Sequence, residues 1–399
     1  MMQQKRNSYL FVLILVGIVS AFGPFVTDFY LPALPELTTY FNTTASMAQL
    51  SLTFSMIGLG AGQLFIGPLS DKYGRRSLLL ISMVFFLIAT VGCIIVPDVK
   101  TFLLCRLLQG LAGAGGVVIS KSIATDLYEG KELARFFSML SAVQGLAPIC
   151  APVLGGVLLE VTDWRGIFGV LLIIGVLLIV MLLFFRESLS PQYRINTPIW
   201  SVFKGYRPVL QNRQFIYYVL IQAFAMGVMF TYIAASPFIF QEHYGISSLS
   251  YSVCFGINAL AIMMGSFFVM RFRSVRRGLG TGSVAFLVMS VITAMILVNN
   301  ANVIMLEISL VLLLFCLGMI LPTSTTLALE LERSNSGSAS AVLGFLMFLF
   351  GGIVSPLAGL GNMLVSTALL IVIGGSCTLV FAVTACGRQK LAIVLSRIK

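Results

Sequence analysis

Long apolar runs recur along the whole chain, at roughly 8–31, 47–69, 77–96, 101–124, 134–158 and 165–185, then at 215–240, 249–270, 281–298, 303–328, 338–360 and 364–385. Each is close to or above the ~20 residues that carry a helix across the hydrocarbon of a bilayer. Short polar intervals separate them, so the pattern predicts twelve membrane-spanning helices in two sets of six. The longest polar interval, 186–214, carries Arg186, Arg194, Lys204, Arg207 and Arg213, and Pro191, Pro198 and Pro208 interrupt any continuous helix there. The expected organisation is an all-α membrane protein: an N-terminal six-helix bundle at 1–185, a cytoplasmic linker at 186–214 and a C-terminal six-helix bundle at 215–399, around a central cavity.

Composition narrows the class. With 58% hydrophobic and 10% charged residues among 399, a water-soluble fold would have more apolar surface than its polar residues cover. Lys5 and Arg6 precede an apolar stretch too long for a cleaved signal core, so that stretch is expected to stay as the first helix. The net charge of +11 does not point to nucleic acid, because the cations punctuate the apolar runs instead of gathering on one face. Placing the N-terminus inside puts about 21 of the 25 Lys and Arg residues on the cytoplasmic side, with both termini there. Lys100 and Arg165 fall outside, and Arg106 and Lys121 lie within the fourth run. The seven cysteines are scattered through apolar runs and read as packing residues. The halves echo one another: DKYGRR follows the second run and RFRSVRR the eighth, so an internal repeat is expected, with each motif in a loop.

A charge at a helix centre costs roughly 2.5–3.5 kcal/mol or more, so each one retained is a candidate for function. Four qualify: Asp28, Arg106, Lys121 and Glu307. Asp28 ends about 20 apolar residues just before Leu31-Pro32, deep in the outward half of the first helix, or else at the water interface. Arg106 is placed to face Asp28, Gln109 or a substrate, or to serve a structural ion pair. Lys121 can snorkel to headgroups, and Glu307, near the outer end of its helix, reads as interfacial. A carboxylate tied to a guanidinium is a poor proton acceptor, so Asp28 and Arg106 are not expected to pair tightly in the state that takes up a proton.

The stretch GPLSDKYGRR places Gly67, Asp71, Gly74, Arg75 and Arg76 at the inner face. There Asp71 can meet the positive N-terminal end of a neighbouring helix and form a latch. The segment GLAPICAPVLGG, with Gly145, Pro148, Pro152, Gly155 and Gly156, reads as a hinge or a packing seam. The single histidine, His243, and the lack of a clustered His, Cys and carboxylate set or of a P-loop argue against an enzyme, a metal site or ATP hydrolysis. No cofactor is expected, and an ion gradient or the substrate's own gradient must supply the energy.

The stretches TDFYLPALP (27–35), GPLSDKYGRR (67–76), RLLQGLAGAGG (106–116), GLAPICAPVLGG (145–156) and SPFIFQEHYGIS (236–247) resemble those of the major facilitator superfamily. Within it they resemble the twelve-helix drug:proton antiporters of the bicyclomycin and chloramphenicol resistance (Bcr/CflA) branch. The likeness spans the chain. It implies the major facilitator fold, alternating access, Asp28 as the protonatable carboxylate, Arg106 as its partner in proton coupling, and Asp71, Arg75 and Arg76 in a conformational latch. Two positions depart from the pattern: Ala151 stands where the antiporter motif usually has glycine, and Ser20 where some related multidrug antiporters carry a second carboxylate. A single carboxylate favours neutral or monocationic substrates over dications. The expectation is therefore a monomeric proton-coupled exporter in a bacterial inner membrane. It would move small, partly apolar molecules such as chloramphenicol or bicyclomycin, in contact with Asp28, Tyr30, Gln109, Tyr232 and Asn258. A dedicated metabolite or siderophore exporter, or a facilitator or nutrient importer, is the alternative.

Overall fold

The structure is a computed structural model. It describes residues 7–194, 206–332 and 336–398, with side chains described as far as Ala385 except at some positions around 130–145, at 193 and at 336–337. Lys5, Arg6, Lys204 and Arg333, the linker centre at 195–205, and the side chains of Lys131, Gly145, Arg388 and the cations after it lie outside the described residues.

All regular structure among the described residues is helical. Twelve long helices follow in order: α1 (Tyr9–Asp28), α2 (Ala45–Tyr73), α3 (Arg75–Ile95), α4 (Val99–Leu127), α5 (Gly130–Leu159) and α6 (Trp164–Phe184). After them come α7 (Arg213–Pro237), α8 (Ser248–Phe268), α9 (Val275–Val298), α10 (Val303–Leu331), α11 (Ser336–Ala358) and α12 (Met363–Ile398). Eleven spans are long and apolar enough to cross a membrane, and α5 contributes the apolar segment Leu146–Leu159. The chain divides into two compact units, Met1–Val202 and Phe203–Lys399, with six long helices in each.

Polar residues set the helix starts. Thr44, Asp98, Asp163, Asn212, Ser247, Ser274 and Asn302 each accept a backbone N–H from the first turn of the helix that follows. Two regions differ from the sequence expectation. The first apolar run does not form one helix: α1 stops at Asp28, a single 3-10 turn spans Leu31–Ala33, and a short helix, Leu34–Tyr40, carries the chain onward. Pro32 and Pro35 lack N–H donors, so a continuous α-helical ladder cannot cross the break, whereas both fit at the starts of new turns. The expected loop at 67–76 is almost entirely helical. Only Gly74 lies outside α2 and α3, at φ +97°, a conformation that a Cβ disfavours.

The two units repeat one another in their packing. In the first, α4 lies against α1, α2 and α3, α3 against α6, and α1 against α5. In the second, α10 lies against α7, α8 and α9, α9 against α12, and α7 against α11. Each of these five pairings thus recurs six helices later. In both units the closest crossing uses glycine: a Cβ on Gly58 or Gly110 would collide with backbone between α2 and α4, and one on Gly265 or Gly318 would do so between α8 and α10. Lipid tails are as apolar as leucine, so helices in a bilayer gain from close backbone approach more than from hiding apolar area.

Candidate functional site

The polar centre of the first unit is built on α4 around Arg106, which is fully buried. Its Nη2 donates to the Val26 carbonyl at 2.8 Å, and its Nη1 donates to Gln109 Oε1 one turn along the same helix. Val26 lies in the last turn of α1, where carbonyls have no partner within the helix, so the cation closes a helix end of matching sign. The guanidinium also covers the Tyr30 ring, 4.2 Å from its centroid, with the Phe168 ring 5.6 Å away. Gln109 Nε2 donates to Thr90 Oγ1 at 2.8 Å. Ser51 donates to the Ala48 carbonyl, so the 2.8 Å contact between Tyr30 and Ser51 is a bond donated by the tyrosine. Tyr30 and Gln109, expected to line a substrate cavity, are completely buried and turn their polar groups to these neighbours. They hold Arg106 in place.

Asp28 is the final residue of α1 and is 7% exposed. None of the ion pairs among the described residues includes it, and Arg106 donates to Val26 and Gln109. α5 packs against this same helix end. A Cβ on Gly155 would strike the Phe29 carbonyl, Gly156 and Pro152 are buried beside it, and Pro148 and Pro152 both lie inside the helix. The antiporter-type segment thus serves as a packing seam next to Asp28, and Gly145 has only its backbone described.

At the junction of α2 and α3, Arg75 is buried and takes three acceptors: Asp71 at 2.5 Å, Ser70 at 2.6 Å and Asp126, from the end of α4, at 3.0 Å. Here the expectation for Asp71 needs correcting. Asp71 is bound to a guanidinium one turn away, while the carboxylate that meets a helix N-terminus is Glu187, which follows α6. Glu187 accepts the backbone N–H of Arg75 at 2.8 Å and of Arg76 at 3.2 Å, and also those of Ser188 and Leu189. In return Arg76 donates to the Leu182 and Leu183 carbonyls at the C-terminal end of α6. An anion at the start of α3 and a cation at the end of α6 each complement a helix dipole, and together they stitch the two helices. Gly74 makes room for this, since a Cβ there would sit 2.5 Å from Glu187 Oε2. Gly67 faces Val118 of α4 at ordinary contact distance.

The second unit holds a different arrangement. Asn258 on α8 is 1% exposed, and its Nδ2 donates to Tyr232 Oη of α7 at 3.0 Å and to Glu307 Oε2 of α10 at 3.2 Å. Phe255, one turn before Asn258, stacks on the Tyr232 ring with centroids 5.6 Å apart. Asn258 Oδ1 and Glu307 Oε1 are both buried without a hydrogen-bond partner. Glu307, expected at the interface, is half-buried and turned toward the helices beside it. Lys121 is exposed, as snorkelling requires. A 520 Å³ recess in the first unit, lined by residues such as Leu13, Gly17, Phe22, Ile174 and Met181, is wholly apolar and offers nothing to orient a polar ligand. Among the described residues no cluster of His, Cys, Asp and Glu could hold a metal ion.

A model of the family described as "Major Facilitator Superfamily" matches residues 13–356. The chain belongs to this family. As a facilitator it is a membrane transporter and not an enzyme, and its fold is the twelve-helix one. It is 38% identical over 354 residues to an uncharacterized MFS-type transporter, YdgK, of Bacillus subtilis, covering 87% of this chain and 88% of that one. It is 27% identical to a bicyclomycin resistance protein homolog of Haemophilus influenzae, over 68% of each chain. Against multidrug resistance protein D of Escherichia coli it is 25% identical over 90% of each chain. These relatives support placing the facilitator in the Bcr/CflA branch. Among solved structures, the D-xylose-proton symporter superposes with a TM-score of 0.73 at 17% identity, over 93% of this chain and 97% of that one, which establishes the shared fold.

Two residues that matter to these sites carry no assignment in the sequence, and a third was named without its partner. Asp126, in the TDLYEG segment, carries a signal that was available: a carboxylate in the last turn of a helix ending on the same side as Arg75. Glu187 stands in a polar interval with many charges and offers none. Glu307 was noticed, but its partner Asn258 is 49 residues away in sequence, and only folding brings them together.

Proposed function

We propose that this facilitator is a proton-coupled antiporter that exports small, partly apolar neutral or monocationic compounds, such as chloramphenicol or bicyclomycin, from a bacterial cytoplasm by alternating access. The observation that carries the reading is Asp28: a carboxylate buried at the end of α1 and outside every ion pair among the described residues, while Arg106 donates to Val26 and Gln109. Retaining such a group within a membrane helix is costly unless its charge is used. Binding and losing a proton changes that charge, and no cofactor is needed. The names of the relatives favour drug efflux over nutrient uptake.

In this mechanism substrate binding on the inner side favours release of the proton from Asp28. The loaded protein then opens outward, substrate leaves, and Asp28 is reloaded from the more acidic exterior. Arg106 acts through the end of α1, holding Val26 and the Tyr30 ring so that Asp28 keeps its place. Tyr232 and Asn258 supply polar contacts to substrate in the C-terminal unit. The Gly67–Arg76 corner serves as the inner latch, the stretch 186–214 as a cytoplasmic linker, and both termini face the cytoplasm of a monomer in the inner membrane.

The test is accumulation of chloramphenicol and of a monocationic dye in efflux-deficient bacteria expressing the chain, with and without a proton uncoupler. The expected result is lower accumulation that the uncoupler restores, and loss of this effect in Asp28→Asn. An Asp28→Asn protein that still exports against a gradient in an uncoupler-sensitive manner refutes the assignment.

A further inference from the structure

Each unit turns a basic corner between its second and third long helices, and the two corners differ in how their charge is met. At the α2–α3 corner the chain supplies its own anions: Asp71 and Asp126 accept from the Arg75 guanidinium, and Glu187 accepts the first two backbone N–H groups of α3. The α8–α9 corner carries Arg271, Arg273, Arg276 and Arg277 within seven residues, all of them exposed. Four residues before Arg75 stands Asp71, whereas four residues before Arg276 and Arg277 stand Phe272 and Arg273. The end of α10 holds Glu330, which is exposed, and Glu332, whose carboxylate accepts from the Asn212 side-chain amide. No Asp or Glu occurs after Glu332 anywhere in the chain, so nothing that follows α12 can play the part of Glu187. None of the ion pairs among the described residues includes any of the four arginines.

The helix start adds to this positive charge. Arg276 and Arg277 stand in the first turn of α9, at the positive end of its dipole, and no acidic residue shares that turn. Ser274 caps the helix, accepting the Arg277 N–H at 3.3 Å, but brings no charge. The backbone beneath the arginines is held firmly: Phe272 packs edge-on against Phe268 and Phe268 against Phe315 of α10, with centroids 5.9 and 5.5 Å apart. Phe267 and Met270, just before the arginines, are 62% and 81% exposed. A cluster of four cations at the end of a membrane helix attracts anionic headgroups, and a guanidinium can give two parallel N–H bonds to phosphate oxygens. A free phosphate would meet the same charges but leave Phe267 and Met270 in water, whereas a phospholipid covers both.

We propose that the α8–α9 corner binds the phosphate of an anionic phospholipid such as phosphatidylglycerol. The lipid supplies to the second unit the negative charge that Asp71, Asp126 and Glu187 supply to the first. Arg271, Arg273, Arg276 and Arg277 hold the headgroup at the start of α9, and the acyl chains lie against Phe267 and Met270. The leaflet, though not the binding, rests on the reading above that places both termini in the cytoplasm.

The test is lipid binding to the purified full-length protein in detergent, read by native mass spectrometry and by thermal unfolding, with phosphatidylglycerol, phosphatidylcholine and inorganic phosphate as probes. The wild type is expected to bind phosphatidylglycerol at least tenfold more tightly than phosphatidylcholine and to unfold at a higher temperature in its presence. Each arginine near an anionic surface contributes about fivefold in affinity. Arg276→Gln combined with Arg277→Gln should therefore weaken phosphatidylglycerol binding at least tenfold, and so should Arg271→Gln combined with Arg273→Gln. Lys72→Gln combined with Lys100→Gln removes the same charge elsewhere and should leave the affinity within twofold. An unfolding midpoint in phosphatidylcholine equal to that of the wild type shows that a variant is folded. No wild-type preference for phosphatidylglycerol, or a preference that survives replacement of all four arginines within twofold, overturns the assignment. So does an equal loss in the lysine pair, which would mean that net charge alone attracts the lipid. Displacement of phosphatidylglycerol by inorganic phosphate, but not by chloride at the same ionic strength, would assign the corner to a free anion and overturn the lipid. Binding is read without transport, so failed export of chloramphenicol by the wild type would sink the exporter reading and leave this result standing on its own.

Discussion

Replacing Arg106 by lysine keeps the charge in the first unit and removes only the fork. In the structure one guanidinium reaches the Val26 carbonyl and Gln109 Oε1 from separate nitrogens while lying 4.2 Å over the Tyr30 ring. A lysine ammonium is a compact point donor and cannot serve both acceptors and the ring in that geometry. One charge-assisted bond left unmade costs about 1.5–3 kcal/mol. A poorer contact with the aromatic face adds up to about 1 kcal/mol, giving about 2–4 kcal/mol together. For a unit of about 200 residues that corresponds to a fall of roughly 5–15 °C in the unfolding midpoint. The assay is thermal unfolding of the purified protein in detergent, with Tyr30→Phe as the companion variant. That change keeps the ring under the guanidinium and loses only the bond to Ser51, so it should cost about 1 kcal/mol. Because Arg106 and Tyr30 touch, Arg106→Lys combined with Tyr30→Leu should be clearly less damaging than the sum of the single changes. A midpoint within about 2 °C of wild type for Arg106→Lys would refute the claim that the fork closes the end of α1.

Other consequences follow from the same contacts. Gly74→Ala forces a side chain into a positive-φ position and against Glu187, so it should lower stability by about 1–3 kcal/mol, read as a drop in unfolding midpoint. Asp126→Asn removes one of the two carboxylates that meet the buried Arg75 and should cost about 1–3 kcal/mol, against little effect for Asp163→Asn, whose ion pair with Arg165 is exposed. Gly110→Val and Gly318→Val should each separate a helix pair and reduce the yield of monodisperse protein to a similar extent, since the two crossings repeat one another.

Much of the architecture was legible along the chain, because a bilayer imposes its demands locally. Every backbone group in hydrocarbon must be paired within its own helix, so each span has to appear as one long apolar run, and twelve such runs did appear. Polar residues at the helix starts are equally local, since a cap acts on the next two or three N–H groups. The break after Asp28 was signalled by Pro32 and Pro35, although the apolar character continued through it and hid the change of helix. The loop read into Gly67–Arg76 was misplaced because charge looks the same along the chain whether a segment is coil or helix. Only Gly74, relieved of a Cβ, needed to leave the helix, and what allowed α3 to start at once was the carboxylate of Glu187 at its N-terminus.

Candidate residues could be named from the cost of burying charge: Asp28, Arg106 and Glu307 are expensive wherever they point. What each does was decided by partners that sequence does not place. Arg106 is tied to a carbonyl 80 residues away, Arg75 to Asp126 across 51 residues, and Glu307 to Asn258 across 49. Hydrogen bonds are short and directional, so a residue's role is fixed by which helix faces which, and by angular position to within a few ångströms. Hydrophobic runs carry only the axial coordinate of each helix. The sequence alone therefore determined the number of long helices, their approximate extents and which side chains are costly. Only the tertiary structure decided that Arg106 closes a helix end and that Glu307 turns to Asn258, because these facts depend on rotation and neighbourhood, which no single helix encodes.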